Sequence, residues 1–581
     1  MQYKRSNRLL QKKFTHFLLP TMITYTALSL NQFVDSMLVS NMLGSDSMAI
    51  IGLGTPLMLV MAAVYNLLGS GGSTIYAMSL GRRDHETAGR SLTASVVTGL
   101  VVGVLLTIAG KVFFGPVTAM LCHDAELMPQ FQSYFNLLLF SAPFLIAILV
   151  FTSFLPAAGY PTYSTVINVA SNIVNLVMDI VYIHVFGMGI VGAGWATVTG
   201  YVVGFLLIIL LIMMRKMKLV VSHVVIRSFE TIGEIIKKGA PDALTQIGFA
   251  LQFAVVNGLA GTIAGTAAIV AFSLCIQCNS VVSIFEGAMI GASVPFLSVL
   301  HGQRDYRGEE GVLKTSLIGQ VIVVVVSAVM LEIFAPQIAA IYNITDASQA
   351  AIAIRALRIY ALTFVIRGPV ILYFRYLIVI GFNGFASFIS ALDGFGVIVP
   401  AAWILSHTLG LDGLWSAFPV SAAIIMTIII IHNARAAAQS NGRLKGLLLL
   451  EHDDEVEPIL DVTITKDSSS IAGISETLQK ACEENGLSRQ RSVKAALAVE
   501  EMAVYAANKK TQNSYMDILA RIYKGNVEID FRSLGTFYDP FENTDADIAE
   551  NVSLLRGVAS KIENEYILGM NSTRITISGT K

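Results

Sequence analysis

Charge is what this sequence has least of. Of its 581 residues only 14% are Asp, Glu, Lys or Arg and 54% are hydrophobic, whereas soluble domains are roughly 25% charged. With a mean hydropathy of +0.66, a wholly water-soluble globule is excluded. The deficit is also uneven, because 36 of the 79 charged residues follow position 450. A membrane body with a soluble tail is implied. Cysteine is scarce too: Cys122, Cys275, Cys278 and Cys482 form neither a disulfide ladder nor a paired metal motif, and read as buried thiols. A cleavable leader is lacking, since the basic start (Lys4, Arg5, Arg8, Lys12, Lys13) runs into an apolar stretch long enough to span a membrane. No histidine follows His452, which argues against phosphotransfer chemistry in the tail.

What is there, in abundance, is long apolar runs. A spanning helix needs about 20 mostly apolar residues, and such runs lie near 14–40, 47–80, 91–114, 130–156, 163–186, 191–214, 239–263, 266–300, 313–336, 352–380, 384–409 and 413–433. The expected fold is an all-α polytopic membrane protein of twelve transmembrane helices in two six-helix lobes, followed by an α+β domain. Basic residues gather in the loops after spans 2 (Arg82, Arg83, Arg90), 6 (Arg215, Lys216, Lys218) and 8 (Arg304, Arg307). By the positive-inside rule these loops and both termini are cytoplasmic, in a multi-pass plasma-membrane protein. The expected organisation is a first lobe over 1–214, a linker over 215–236, a second lobe over 237–435, a polar linker over 436–458 and a cytoplasmic domain over 459–581.

The halves repeat. SLGRRD (79–84) recurs as HGQRD (301–305), and GIVGAGWA (189–196) as GLDGLWSA (410–417), each 221 positions later. Two landmarks at one offset indicate parallel repeats, a plan in which the substrate path runs between the halves.

Span 5 carries Asn172, Asn175 and Asp179 at i, i+3 and i+7, one stripe of a helix. Asp35 lies about five residues from the outer end of span 1, Asp179 about seven from that of span 5, and Thr197 about six into span 6, so at 1.5 Å per residue all lie roughly 8 to 10 Å deep. Two carboxylates, an amide and a hydroxyl at one depth suit a hard cation or a shared proton. The alternative is structural, with Asp35 and Asp179 bonding backbone near helix ends. Intramembrane carboxylates favour function.

The segments FVDSMLVSNMLGSDSMAIIGLGTPLMLV (33–60), GSGGSTIYAMSLGRRDHETAGR (69–90) and the block from NIVNLVMD to GWATVTG resemble the multidrug and toxic compound extrusion (MATE) family, over roughly residues 10 to 435. That resemblance places a first-lobe cation site on Asp35, Asn175, Asp179 and Thr197, with Asn172 alongside, and an Na⁺ ion at Asp35, Asn175 and Asp179 as one occupant. It matches Pro20 to a proline at which the first helix bends. It implies efflux of drugs or metabolites by alternating access.

The second lobe departs from that pattern, with Gln246 and Phe249 where the family's seventh-helix acid would be. It offers instead Glu286 in span 8, Arg367 and Arg375 in span 10, and Asp393 in span 11. Glu286, Arg367, Asp393 and Gln246 are the substrate-pathway candidates. Arg367 either faces an anionic substrate, as an untitratable fork, or forms an internal pair with Glu286 or Asp393.

The tail reads as helices over 468–485 and 488–509, strands near 514–522 and 525–533, a helix over 549–564 and a strand over 573–578. VKAALAVEEMAVYAANKK (493–510) and LGTFYDPFE (534–542) resemble the ATP-binding domain of anti-sigma-factor kinases and histidine kinases. Glu501 and Gly535 keep motif positions, but Tyr505 stands where the magnesium-binding asparagine belongs and Ser533 where the adenine-reading aspartate belongs. The lid is reduced to Arg556 and Gly557. The domain is expected to be inactive as an ATPase, with a nucleotide or a regulatory protein as its partner.

The expected function is a secondary antiporter, a transporter rather than an enzyme, exporting small molecules against H⁺ or Na⁺ entry and modulated by its tail. It is expected to act as a monomer in the lipid bilayer, with no cofactor and no nucleic-acid partner. The alternatives are a flippase or exporter of an anionic or lipid-linked substrate, and a membrane sensor with a kinase-like output domain.

Overall fold

The computed structural model describes every residue except 1–4, 44, 123, 125, 218, 223–227, 342–346, 453–457, 466–467, 509–514, 536–552 and 579–581. It divides into two compact units: Phe17–Gln303 with Leu313–His432, and Met1–His16 with Arg304–Val312 and Asn433–Lys581.

The larger unit is helical. Its elements belong to α1 (Arg8–Leu43), α2 (Ser45–Arg82), α3 (His85–Val112), the short α4 (Phe114–Leu121), α5 (Met128–Phe154), α6 (Pro161–Asp179), α7 (Ile190–Met213), α8 (Ile232–Gly302), α9 (Tyr306–Ile341), α10 (Ala347–Val379), α11 (Asn383–Ala391), α12 (Ile398–Leu409) and α13 (Leu411–Gln439). π turns, Ile180–Val185 and Leu392–Gly396, prolong α6 and α11. Among the described residues, ten helices are long and apolar enough to cross a membrane. Only helices and closed barrels satisfy every backbone group in hydrocarbon, so apolar composition here dictates helix. At 1.5 Å per residue α8, 71 residues long, measures over three times a hydrocarbon core of about 30 Å. It breaks at Ala264 (φ −141°) and Gly265 (φ 58°), between the runs expected at 239–263 and 266–300.

The repeat is visible in the backbone. Arg83 and Arg304 are both left-handed, at φ 60° and 57°. Gly189 and Gly410 share φ near 60° and ψ near −140°, a conformation essentially confined to glycine.

The two halves meet along α2 and α8, backbone to backbone. A β-carbon on Gly81 would strike the Val299 carbonyl, and one on its counterpart Gly302 would strike that of Met78. Gly71 faces Ile235, and Gly239 faces Leu67, in the same way.

The smaller unit contains a hairpin of β1 (Leu444–Lys445) and β2 (Leu450–Glu451), and a five-stranded antiparallel sheet of order β3-β4-β5-β7-β6. The strands are β3 (Pro458–Thr465), β4 (Tyr515–Tyr523), β5 (Asn526–Leu534), β6 (Lys561–Ile567) and β7 (Met570–Ile577). Alternation puts Val462, Ile464, Met516, Ile518, Ile529 and Phe531 in one core with Ile474 and Leu478 of α14 (Ser468–Glu484) and Val499 and Met502 of α15 (Arg489–Asn508). The helix expected over 549–564 is corrected: within its described part only 553–558 is helical, and 561–567 is strand β6. A two-residue turn at Leu568 and Gly569, φ 53° and 69°, pairs Ile567 with Met570. Positive φ at both positions favours strands of matching twist.

The seam predicts a selective intolerance. Gly81→Ala and Gly302→Ala should each lower the thermal unfolding midpoint in detergent, by an overpacking cost of about 1–3 kcal/mol. Gly52→Ala, where a β-carbon meets nothing within 4 Å, should leave it unchanged or raise it.

Candidate functional site

In the first lobe the polar stripe lies where α6 gives way to its π turn. Asp179 is the last α-helical residue and is 0% exposed. Asn175 is also buried, and Asn172 is half-buried. Helix α7 reaches this stripe because it has glycines where α6 arrives: Gly200 lies against Asn175 and the Ser171 carbonyl, and Gly204 against Ser171. The Ser171 hydroxyl donates to the Gly200 carbonyl at 2.8 Å. Single π turns occur often at functional sites, since they re-aim side chains within a helix. Thr197 is half-buried, and its hydroxyl donates to the Ala193 carbonyl at 3.0 Å.

Asp35 is placed within α1, eight residues before its end, and its side chain lies outside the described residues. Counted along the helices, Asp35, Asp179 and Thr197 stay within roughly 9 to 12 Å of the same ends, one layer. Pro20 is interior to α1, where its carbonyl accepts from Thr24 at 3.0 Å and from Thr165 of α6 at 2.9 Å. The sequence adds a constraint on charge: no Lys or Arg occurs over 14–81 or 112–214.

The second lobe holds its charges differently. Arg367 grips Asp393 through Nε at 3.2 Å to each oxygen and through Nη2 at 2.8 Å. Of the two roles open to Arg367, the internal pair is the one formed. Asp393 stands 221 positions after Asn172 and lies in the π turn after α11. Buried Glu286 is close by, for a β-carbon on Gly368 would sit 3.0 Å from its Oε1 and 3.4 Å from Nε2 of Gln320. Glu286, Arg367 and Asp393 are thus brought together, while Gln246 is half-buried in α8. Two residues beyond it, Gly248 meets Gly394 backbone to backbone.

One group escaped the sequence reading. Asp242, a turn before Gln246 and 2% exposed, accepts from Arg375 of α10 and from the Ser70 hydroxyl of α2. The Arg375 Nη1 also donates to Ser70 Oγ at 3.1 Å. The triad therefore joins span 2 to spans 7 and 10. Its signal was an acid directly after Pro241 and four residues from Lys238, inside the apolar run expected at 239–263.

In the C-terminal domain Tyr505 fills the core at 1% exposure as a packed ring. Glu501 is half-buried on α15. Gly535 has φ 144°, and its carbonyl accepts from the Tyr566 hydroxyl at 3.1 Å. Most of the 534–542 motif lies outside the described residues.

The larger unit has the fold of MATE transporters. A solved outward-facing multidrug resistance MATE family transporter of the MOP superfamily aligns with 74% of this chain and 97% of its own, at 22% identity and a TM-score of 0.67. A MOP superfamily transporter from Pyrococcus furiosus, whose reversed binding-pocket polarity suggests a different function, aligns over the same shares at a TM-score of 0.68 and 22% identity. The family model described as MatE matches residues 20–181, which include Pro20, Asp35, Asn172, Asn175 and Asp179 but not Thr197. Similar curated proteins include the probable multidrug resistance protein YoeA of Bacillus subtilis, 23% identical over 73% of this chain and 94% of its own length. The multidrug export protein MepA of Staphylococcus saprophyticus is 24% identical over 75% and 97%. A quarter of this chain therefore lies beyond what these relatives share.

Breaking a buried ion pair strands its partner, at a cost of about 3–5 kcal/mol. Asp242→Ala should destabilise the protein on that scale in detergent thermal unfolding. The double variant Asp242→Leu with Arg375→Met, which removes both charges, should recover most of the loss.

Proposed function

We propose that the chain is a secondary active efflux transporter that exports drugs or organic metabolites by alternating access, driven by H⁺ or Na⁺ entry. Twelve spans make up its membrane body: the ten apolar helices, the extra crossing made when α8 breaks at Gly265, and α1. Both termini and the C-terminal domain face the cytoplasm, with the basic loops.

The observation that carries this reading is the charge asymmetry of the lobes. In the second lobe Asp242 and Asp393 hold tethered guanidinium groups, Arg375 and Arg367. In the first lobe Asp35 and Asp179 lie in spans that contain no Lys or Arg at all. A carboxylate deep in an apolar medium costs roughly 3 kcal/mol or more, and no Lys or Arg of those spans offsets it, so H⁺ or Na⁺ is the positive charge that suits them and can come and go. Oxygens from Asp35, Asn175 and Asp179 would hold it, with Asn172 and Thr197 beside them.

Binding of the ion drives transport only through differential affinity for the two access states. The α2–α8 glycine seam lies next to the basic loops, at Gly81 and Gly302, so the lobes are closed on the cytoplasmic side. In that state the coupling ion enters from outside and substrate is released there. Glu286, Arg367 and Asp393 line the second-lobe part of the substrate path together with Gln246. When ionised they carry one excess negative charge, which favours a cationic substrate over an anionic or lipid-linked one. The names of the multidrug relatives agree with this choice.

The test is ethidium efflux driven by an imposed pH or Na⁺ gradient, at matched expression. Wild type should extrude the dye, and Asp35→Asn and Asp179→Asn should each cut gradient-driven efflux to below about a tenth, as expected when an intramembrane coupling carboxylate is lost. Efflux at wild-type rate in both variants would make the carboxylates structural.

A further inference from the structure

Asp84 and Asp305 are the same residue in the two halves of the repeat, and the structure gives them different work. Each follows a left-handed arginine and caps the next helix: Asp84 accepts from the Thr87 amide at 3.0 Å, Asp305 from the Gly308 amide at 2.9 Å. Asp84 does this in solvent. Asp305 is only 2% exposed, with Arg5 and Arg532 of the same unit against it.

Arg5 reaches both Asp305 oxygens through Nη2, at 3.0 and 2.8 Å, and Arg532 of β5 donates to Oδ2. Arg5 also bonds Asp461 of β3 through Nη1 at 3.3 Å, and Arg307 bonds the same carboxylate at 2.7 Å. Backbone follows side chain: the Arg5 amide donates to the Asp461 carbonyl at 3.0 Å, and the Ser6 amide to the Thr463 hydroxyl at 3.0 Å. The Thr463 hydroxyl in turn bonds Asp517 at 2.7 Å, and the Arg304 guanidinium lies 4.6 Å from the centre of the Tyr523 ring.

Asp461, Thr463, Asp517, Tyr523 and Arg532 belong to one face of the sheet, opposite the helices, since successive strand residues alternate sides. Charged groups rarely leave water unpaired, yet Asp517 and Arg532 are 2% and 3% exposed. This face is built to be covered, and residues 5–7 and 304–308 are part of its cover. Burial alone would push the Asp305 carboxyl up. Arg5 and Arg532 more than reverse that and hold it well below the usual carboxylate range, so the network persists at any pH above that range.

We propose that the C-terminal domain is a strap on transport: its polar sheet face ties the residues just ahead of the first membrane helix to those just ahead of the ninth, one from each half of the repeat, and slows the change of access in which the halves move apart. This rests on the efflux reading above and gives the domain its role within it. A tie between two moving halves restrains the motion that limits turnover in many transport and enzyme cycles.

The test uses the full chain in proteoliposomes, with ethidium as the transported probe and hydrogen exchange as the second readout. Asp305→Asn keeps the cap, because asparagine caps as well as aspartate, but removes the charge; Arg5→Gln attacks the same tie from the other end. Each should raise amide exchange over residues 5–12 about tenfold and speed gradient-driven efflux roughly threefold. Asp84→Asn, the same change at the solvent-exposed cap, should do neither. Unchanged exchange in both network variants would overturn the strap. So would faster exchange with efflux no faster than in Asp84→Asn, which would make the contact an anchor. If wild type moves no ethidium, the efflux reading fails by itself; the tie is then judged on exchange, which Asp305→Asn must raise and Asp84→Asn must not.

Discussion

An acid in hydrocarbon must find a positive charge, and this constraint organises the protein from one end to the other. Water is absent to solvate it, and Coulomb attraction is correspondingly stronger where a partner exists. The second lobe meets the demand internally. Arg375 on Asp242 and Arg367 on Asp393 are covalently part of the chain, so each of those two pairs is neutral whatever the medium offers. The first lobe has no such cation over 14–81 or 112–214. Two lobes built on one repeat have thus separated into one whose Asp242 and Asp393 are paired with arginines and one whose spans 1 and 5 carry acids with no Lys or Arg in the same spans, the difference on which the proposed coupling rests.

The same repeat explains how the lobes close. Apolar side chains gain nothing by leaving lipid for one another, so helices in a membrane associate through close packing and small residues. Gly81 and Gly302, 221 positions apart, each remove the side chain that would keep α2 and α8 separate. The contact is symmetric because the sequence is. The Ser70–Asp242–Arg375 triad breaks that symmetry, for it binds one face of α2 to the second lobe by charge.

Much of this was legible beforehand. Span positions, the boundary at 264 and 265, the repeat and the two tail helices follow from apolar length, glycine placement and periodicity, which are local properties. The stripe of Asn172, Asn175 and Asp179 was legible for the same reason. What was not legible depends on partners distant in sequence. Asp242 went unread because Arg375 and Ser70, which give it its place, lie 133 and 172 residues away. The π turns leave no periodic signature over so short a length. Strand β6, Lys-Ile-Glu-Asn-Glu-Tyr-Ile, carries charges that suit a helix surface, and it is held as a strand by its hairpin with β7.

The tail shows most plainly how partners decide. Read alone, β4 and β5 alternate apolar with charged residues, Met516-Asp517-Ile518 and Ile529-Asp530-Phe531, the pattern of a sheet with one wet face. A wet face would leave Asp517, Arg521, Asp530 and Arg532 in solvent, yet each is at most 4% exposed. Some of the pairing is internal, as where Arg574 takes Asp530 at 2.7 and 3.0 Å. The rest needs Arg5 and Asp305, which lie 300 residues apart in the sequence. Replacing such a network with apolar residues often costs nothing in stability, so stability alone does not account for charges kept here. Charges do something that an apolar patch does not: they demand particular partners in one register, which suits a contact that has to find two helix ends and hold both.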